Sequence, residues 1–338
     1  MPRHPRRHAT MSPLSITRRC FSLATLGWGL GHGLAQAQGR WPDKPIRMVV
    51  PYTPGGGTDG VTRQITEKVG TAARWVFLVD NKPGAGGNIG LDLVAKAKPD
   101  GYTLGMGQTA NLAINPALLP RMPFDPLKDL VPVALVAEQP VVMVVRADSP
   151  WKTLTDAIAA AKTRPATVKQ GLAGTGTVGH LAGEMLAFKA GFSVLSVPYK
   201  GAAPAITDLL GGQTDYMFAT PQAVLGMLKG GKLRALAVTS IRRMAVLPDV
   251  PTVAESGHAG FSAVDWKLIV APAGTPAEVV RAVNAEVEKA LAQPAMLAQL
   301  SAEGSAPMGG SAAQAAKYLQ AEQEKWAALI RQARIQID

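Results

Sequence analysis

PYTPGGGTD, at residues Pro51–Asp59, is a glycine-rich turn that follows the apolar run Ile46–Val50 and precedes a helical pattern from Val61 onward. Consecutive glycines have no side chains to pack, so a bound group can approach their backbone closely. The first amides of a helix lack partners within the helix and lie at the positive end of its dipole. The stretch therefore predicts a strand–loop–helix unit that binds a carboxylate or a phosphate, with Thr58 or Asp59 as the N-cap. The alternative is a turn of an ordinary α/β protein that binds nothing.

The N-terminal segment, residues 1–37, has the pattern of an export signal. Arg18 and Arg19 form a twin-arginine pair, an apolar stretch follows at Phe21–Leu34, and Ala35–Ala37 provides a small-residue cleavage site. The apolar stretch is shorter than the ~20 residues that a membrane span needs. We therefore expect a cleaved Tat-type signal peptide and a mature protein exported to the periplasm by the twin-arginine route.

The composition of the mature chain excludes several classes of site. Cys20 lies in the leader, so cleavage leaves no cysteine, and His180 and His258 are the only histidines after residue 37. These counts argue against disulfides, iron–sulfur clusters, attached haem and histidine-rich zinc sites. Basic residues are scattered, and aromatic residues make up 5% of the sequence, which argues against nucleic-acid binding. We expect no metal, no cofactor and no nucleic-acid partner.

Apolar, β-like runs alternate with helical stretches along the mature chain. This alternation favours an α/β protein with ligands at the carboxyl ends of parallel strands. The strand exit Gly107–Asn111, which includes Thr109, is a second candidate ligand edge. Between residues 119 and 140 the high proline density argues against regular structure. Val141–Val145 is an apolar, β-branched run and Phe261–Val270 has an extended pattern, and we expect the chain to cross between two domains at both places.

The second half of the chain repeats the strand–loop–helix scheme. A β-like run at Val168–Leu172 leads to the glycine-containing turn Ala173–His180, which opens a helix. Further along the chain, the patterns Thr275–Glu278 and Ser311–Gln314 predict capping boxes at the starts of two helices. We expect these helices to complete the first domain.

Known catalytic motifs are weak or missing in this sequence. Gly174–Gly179 spells the dinucleotide fingerprint, but the acid that would bind the ribose is missing from Leu195–Lys200. No P-loop, Gly-x-Ser-x-Gly or His-Glu-x-x-His pattern occurs. His180 lies near a candidate loop, where a lone histidine is more often a structural hydrogen-bonding group. We predict no catalytic residue, with an exported cofactor-dependent oxidoreductase as the alternative.

Six motifs extend over nearly the whole mature chain, namely Pro51–Asp59, Asn81–Gly90, Pro99–Leu104, Pro198–Gly201, Asp208–Gln213 and Leu247–Thr252. In this order they resemble the motifs of the Bug family, the periplasmic solute-binding proteins of tripartite tricarboxylate transporters.

The resemblance implies an α/β type II periplasmic-binding-protein fold, in which two α/β lobes joined by crossing strands enclose a ligand cleft. We expect residues 38–140 and 265–338 to form lobe 1 and residues 141–264 to form lobe 2. It also implies a non-enzymatic, monomeric protein that captures a small carboxylate. Such a protein would deliver it to the membrane components of a tripartite tricarboxylate transporter or to a sensor kinase.

In the family, the loops that match Pro51–Asp59 and Gly174–His180 face each other and hold a carboxylate through backbone amides, hydroxyls and bridging waters. Thr177 replaces the serine that is usual in the family, and Lys267 replaces a residue that is commonly glycine, so both positions are candidates for altered specificity. The loops contain no arginine, which predicts recognition by helix-start amides instead of a guanidinium clamp. The resemblance implies the ligand-binding residues Thr53, Gly55, Gly56, Asp59, Thr175, Gly176, Thr177 and His180, to which we add Thr109 and Tyr199.

Overall fold

The structure is a computed structural model that describes residues 41–199 and 201–335. The predicted signal peptide at residues 1–37 lies outside the described residues. The strands are β1 (Ile46–Val50), β2 (Phe77–Asn81), β3 (Thr103–Gln108), β4 (Leu130–Pro140), β5 (Val142–Arg146), β6 (Lys169–Leu172), β7 (Leu195–Pro198), β8 (Tyr216–Ala219), β9 (Leu233–Val238), β10 (Val264–Pro272) and β11 (Ala306–Pro307). The helices are α1 (Gly57–Ala73), α2 (Asn88–Ala95), α3 (Asn115–Leu118), α4 (Leu154–Thr163), α5 (Val178–Ala190), α6 (Ala202–Leu210), α7 (Pro221–Lys229), α8 (Ala277–Leu291), α9 (Pro294–Ala302) and α10 (Ala312–Gln332). Across the described ranges, no helix has the length and apolar character of a membrane span.

The strands form two mixed sheets. The six-stranded sheet has the order β11-β4-β10-β3-β1-β2, and the five-stranded sheet has the order β7-β6-β8-β5-β9. β1 pairs in parallel with β2 and β3, and β6 pairs in parallel with β7 and β8. The chain passes between the sheets twice, from β4 to β5 and from β9 to β10. We refer to each sheet with its helices as a lobe.

Strand β4 corrects the prediction that residues 119–140 lack regular structure. The strand has 11 residues and pairs with β10 along its whole length. Pro132 lies beside a register shift in this pairing, and Pro140 is the last residue of the strand. Proline is tolerated at strand ends and irregularities because its missing N–H breaks no regular ladder there.

The two predicted capping boxes have different outcomes. Ser311 accepts a hydrogen bond from the Gln314 amide, and the Gln314 side chain accepts one from the Ser311 amide, which confirms the capping box of α10. The capping box predicted at the start of α8 is wrong. Pro276 is the N-cap there, and the Thr275 hydroxyl donates to the carbonyl of Pro272 instead.

Two buried threonines fix the segments that pass between the sheets. Thr239 follows β9, and its hydroxyl accepts a hydrogen bond from the Val141 amide at 2.9 Å and donates to the carbonyl of Ala263. The Thr109 hydroxyl accepts from the Trp266 amide at 2.9 Å and donates to the carbonyl of Val264 at 3.2 Å. The Thr239 contacts therefore join the two crossing segments, and the Thr109 contacts hold the start of β10.

Candidate functional site

The first glycine loop ends at α1, which begins at Gly57 with Gly56 as its N-cap. The prediction of Thr58 or Asp59 as the N-cap is therefore wrong, because the helix starts earlier than the apolar pattern indicates. Gly55 has φ 83°, a conformation that glycine adopts without a steric penalty. Thr53, Gly55 and Gly56 are exposed, and no side chain caps the helix start. The loop thus presents backbone amides at the positive end of α1.

Asp59 supports this loop from beneath. Its Oδ2 accepts hydrogen bonds from the Gly55 amide and from Arg63 Nε, both at 2.9 Å, and its Oδ1 accepts one from Asn81 Nδ2 at 2.9 Å. Burial opposes the charged form of Asp59, but the hydrogen bonds from Arg63, Gly55 and Asn81 together hold its pKa below the usual range. Because both oxygens are engaged and the residue is 3% exposed, Asp59 shapes the loop and does not present its carboxylate to the cleft.

The second glycine loop ends at α5, where Thr177 is the N-cap. The Thr177 hydroxyl accepts from the His180 amide at 3.3 Å and donates to the carbonyl of Gly174 at 2.8 Å. The Gly176 amide donates to His180 Nδ1 at 3.2 Å, so the ring proton belongs on Nε2, which lies 3.6 Å from Glu184 Oε1. The neighbouring ring of His180 lowers the pKa of Glu184 against the opposing effect of burial. His180 is buried and holds the loop, while Thr175 is exposed on it.

Each glycine loop approaches the opposite lobe. A Cβ placed on Gly176 would lie 3.0 Å from Asn115 Oδ1, so the second loop packs against α3 of the first lobe. A Cβ placed on Gly57 would lie 3.6 Å from Gln222 Oε1 on α7 of the second lobe. Gln139 and Gln222 exchange two hydrogen bonds of 3.0 Å at the same place. Each of the two helix starts therefore lies where the two lobes meet, beside the cleft between the lobes.

Polar side chains form the floor of this cleft at the carboxyl ends of β1 and β3. The Tyr52 hydroxyl donates to the carbonyl of Gly86 at 3.0 Å and accepts from Asn111 Nδ2 at 3.1 Å. Burial, and then the charge of Asp265, raise the pKa of Tyr52, so its phenol stays protonated. The Thr58 hydroxyl donates to the side-chain oxygen of Gln108, the last residue of β3.

A buried ion pair from β10 adjoins this floor. Lys267 Nζ lies 2.6 Å from Asp265 Oδ2, and the two side chains are 1% and 9% exposed. The other carboxylate oxygen of Asp265, Oδ1, is buried without a hydrogen-bond partner. The family pattern indicates Lys267 only as a departure, and it does not indicate Asp265. The available signal was two opposite charges that flank Trp266 in an otherwise apolar strand.

Two predicted site residues have hydroxyls that bond within their own lobes. Thr109 is fully buried and binds the backbone of β10, as described above. The Tyr199 hydroxyl donates to Asp208 Oδ2 at 2.7 Å, and this hydrogen bond raises the pKa of Tyr199. The structure therefore assigns both hydroxyls to contacts that support the fold.

A groove of about 850 Å³ is separate from the two glycine loops, and Glu138, Met244 and Tyr318 are among its lining residues. None of the predicted site residues lines this groove. In the part of the chain that the structure describes, no group of three or more His, Cys, Asp or Glu residues is arranged to hold a metal ion. The two helix starts are thus the arrangement with the clearest chemical capacity, which is anion binding.

Comparison with known proteins identifies the family. The family model described as the tripartite tricarboxylate transporter family receptor matches residues 61–335. The chain belongs to this receptor family. It is 40% identical over 297 residues to the UPF0065 protein of the tcbD-tcbE intergenic region of Pseudomonas sp. strain P51, and the match covers 88% of each chain. It is 36% identical over 293 residues to protein BugT of Bordetella pertussis, with 86% of this chain and 90% of BugT covered.

Solved structures agree with this assignment. R. palustris Rpa4515 with adipate superimposes with a TM-score of 0.82 at 33% identity and covers 88% of this receptor and 99% of that chain. Periplasmic binding protein BugD gives a TM-score of 0.79 at 34% identity, with 88% and 99% covered. MatC from Rhodopseudomonas palustris with bound malate gives a TM-score of 0.78 at 32% identity, and the match covers 86% of this receptor and 99% of that chain.

These comparisons confirm the resemblance to the Bug family and the type II periplasmic-binding-protein fold with two α/β lobes. The family is one of solute-binding receptors and not of enzymes, as the sequence analysis predicts. It also implies that the receptor is periplasmic.

Proposed function

We propose that the receptor captures a small carboxylate between the two glycine loops and delivers it to the membrane components of a tripartite tricarboxylate transporter. The observation that supports this proposal is that the starts of α1 and α5 each follow a glycine loop and each lie against an element of the other lobe. Adipate and malate, named with two similar structures, belong to the same ligand class.

The proposed recognition relies on amides and hydroxyls. Helix-start N–H groups are unpartnered within the helix, and the dipole favours a negative charge beside them. The arginines on either side of the first loop are already paired, because Arg63 bonds to Asp59 and Asn81 and Arg47 bonds to Asp80. A carboxylate in the cleft would then be held by the loops that contain Thr53, Gly55, Gly56, Thr175, Gly176 and Thr177.

Several finer points belong to the same proposal. Residues 1–37 act as a twin-arginine signal peptide, and the mature receptor works as a monomer. Residues 38–140 and 265–338 form lobe 1, and residues 141–264 form lobe 2. A sensor kinase is the alternative recipient of the loaded receptor.

Calorimetry with adipate and its uncharged diamide, adipamide, tests the proposal. Both molecules have the same chain length, but only adipate carries the negative charges that helix starts favour. We expect adipate or malate to bind and adipamide to bind at least about tenfold more weakly, a difference of about 1.4 kcal/mol. Equal affinity for the acid and the diamide, or no affinity for any carboxylate in a wider panel, would contradict the proposal.

A further inference from the structure

Strand β10 brings a charged pair to the edge of the sheet at which the first glycine loop begins. Lys267 lies opposite Gln108, the last residue of β3, in the antiparallel pairing of β10 and β3. Asp265 comes two residues earlier in β10 and therefore lies beyond the end of β3. This is the edge where the carboxyl ends of the parallel strands β1 and β3 meet, and such edges bind ligands in α/β proteins.

The alternation of side chains along β10 places the pair on the face covered by α1. Trp266 points to α10, where its indole N–H donates to the buried Glu322 at 2.8 Å. Successive side chains of a strand point to opposite faces, so Asp265 and Lys267 lie on the other face.

Two cross-strand neighbours show that the first turn of α1 lies above the pair. Gln108, opposite Lys267, accepts a hydrogen bond from the hydroxyl of Thr58 in that turn. Gln139, opposite Asp265 in β4, has its amide nitrogen 3.6 Å from a Cβ placed on the first residue of α1. The ion pair therefore lies directly beneath the helix start that belongs to the proposed site.

The pair has unused hydrogen-bonding capacity. An ammonium has three donors, and the contacts of Lys267 Nζ are to Asp265 Oδ2 at 2.6 Å and to the Asp265 carbonyl at 3.5 Å. Asp265 Oδ1 is buried with no donor. A buried carboxylate oxygen without a donor is unfavourable, and native proteins rarely leave one so.

We infer that Asp265 and Lys267 form a subsite that recognises a hydroxyl or ammonium group on the bound carboxylate. The inference rests on the proposed function, because it places this group on a ligand held at the start of α1. The ligand's O–H or N–H donates to Asp265 Oδ1, and a spare Lys267 N–H donates to a ligand oxygen. The preferred ligands are therefore hydroxy- or amino-substituted carboxylates, since a plain dicarboxylate leaves Asp265 Oδ1 without a donor.

Malate and succinate test the subsite, because they differ by one hydroxyl. By calorimetry on the receptor we expect malate to bind at least tenfold more tightly than succinate. In the double variant Asp265→Leu with Lys267→Met, which removes both charges, we expect that ratio to fall to within about twofold. The control variant Glu286→Leu with Lys289→Met removes a partly exposed ion pair of α8 and should keep the parent ratio.

Each outcome has a distinct meaning. Equal affinity of the parent for malate and succinate would overturn the subsite and leave the proposed function intact, with water as the donor to Asp265. A double variant that folds and keeps the malate preference would also overturn it. If the parent binds neither acid nor any other carboxylate, the proposed function itself is wrong. The parent comparison decides the matter even if the double variant fails to fold.

Discussion

Gly176 and Gly191 form a matched pair at the two ends of α5. Their φ angles are 76° and 72°, a region that costs other residues about 1–2 kcal/mol. A Cβ on Gly176 would meet Asn115 Oδ1 at 3.0 Å, whereas a Cβ on Gly191 would meet nothing within 4 Å. We expect Gly176→Ala and Gly191→Ala to lose similar free energy of unfolding. Only Gly176→Ala should bind adipate more weakly, by about tenfold or more, because it separates the second loop from α3.

Urea unfolding and calorimetry measure the two effects separately. Equal adipate affinity of both glycine variants would show that close approach of the second loop to α3 is not needed for binding.

Asp59 makes the stability of the first loop dependent on pH. Its pKa is depressed in the folded protein, so its contribution is present above the ordinary carboxyl pKa, near 4, and is lost as the pH falls through the folded value. We expect Asp59→Asn to lower the free energy of unfolding by about 1–3 kcal/mol at pH 7. The difference from the parent should shrink below about pH 4.

Urea titrations at pH 7 and at decreasing pH check this behaviour. Asp249→Asn is the control, because Asp249 is exposed and has no described polar contact. A difference between parent and Asp59→Asn that stays constant down to the lowest pH would contradict the assigned role.

At the scale of elements, Thr239 and Thr214 offer opposite expectations for the same substitution. Both threonines are buried in the second lobe. The Thr239 hydroxyl bonds to both crossing segments, whereas Thr214 Oγ1 has no partner. Thr239→Val leaves a buried N–H without an acceptor and should cost about 1–3 kcal/mol of unfolding free energy. Thr214→Val removes an unsatisfied hydroxyl and should be neutral or stabilising.

Denaturant unfolding of the two valine variants gives the comparison directly. A Thr239→Val variant as stable as the parent would mean that the crossings do not depend on this hydroxyl.

The sequence predicts local elements better than the contacts between them. Ile46–Val50 was predicted as a strand and is one, since a short apolar run between turn signals is typical of a buried strand. β4 was missed because proline signals act locally, whereas the pairing that tolerates Pro132 comes from β10. The local sequence pattern does not predict that Asp59 supports the loop, because its partner Asn81 belongs to a different strand, β2. Asp265 was missed for the same reason.

For the whole molecule, the two crossings predict hinge closure around the ligand. Two connections join the lobes, and contacts such as the Gln139–Gln222 pair form where the lobes meet across the cleft. A ligand held by both loops binds the closed form better and shifts the population toward it. We expect small-angle X-ray scattering to show a smaller radius of gyration with saturating adipate than without it. An unchanged radius of gyration would contradict closure.

The Gln139–Gln222 pair also predicts how closure contributes to affinity. Gln222→Ala removes two neutral hydrogen bonds across the cleft, each of which contributes about 0.5–1.5 kcal/mol. Because the bonds join the two lobes, their loss should favour the open form and weaken adipate binding by roughly two- to tenfold for each bond. Gln213→Ala is the control, since Gln213 is exposed on a turn of the same lobe. Equal adipate affinity of Gln222→Ala and the parent would contradict this contribution.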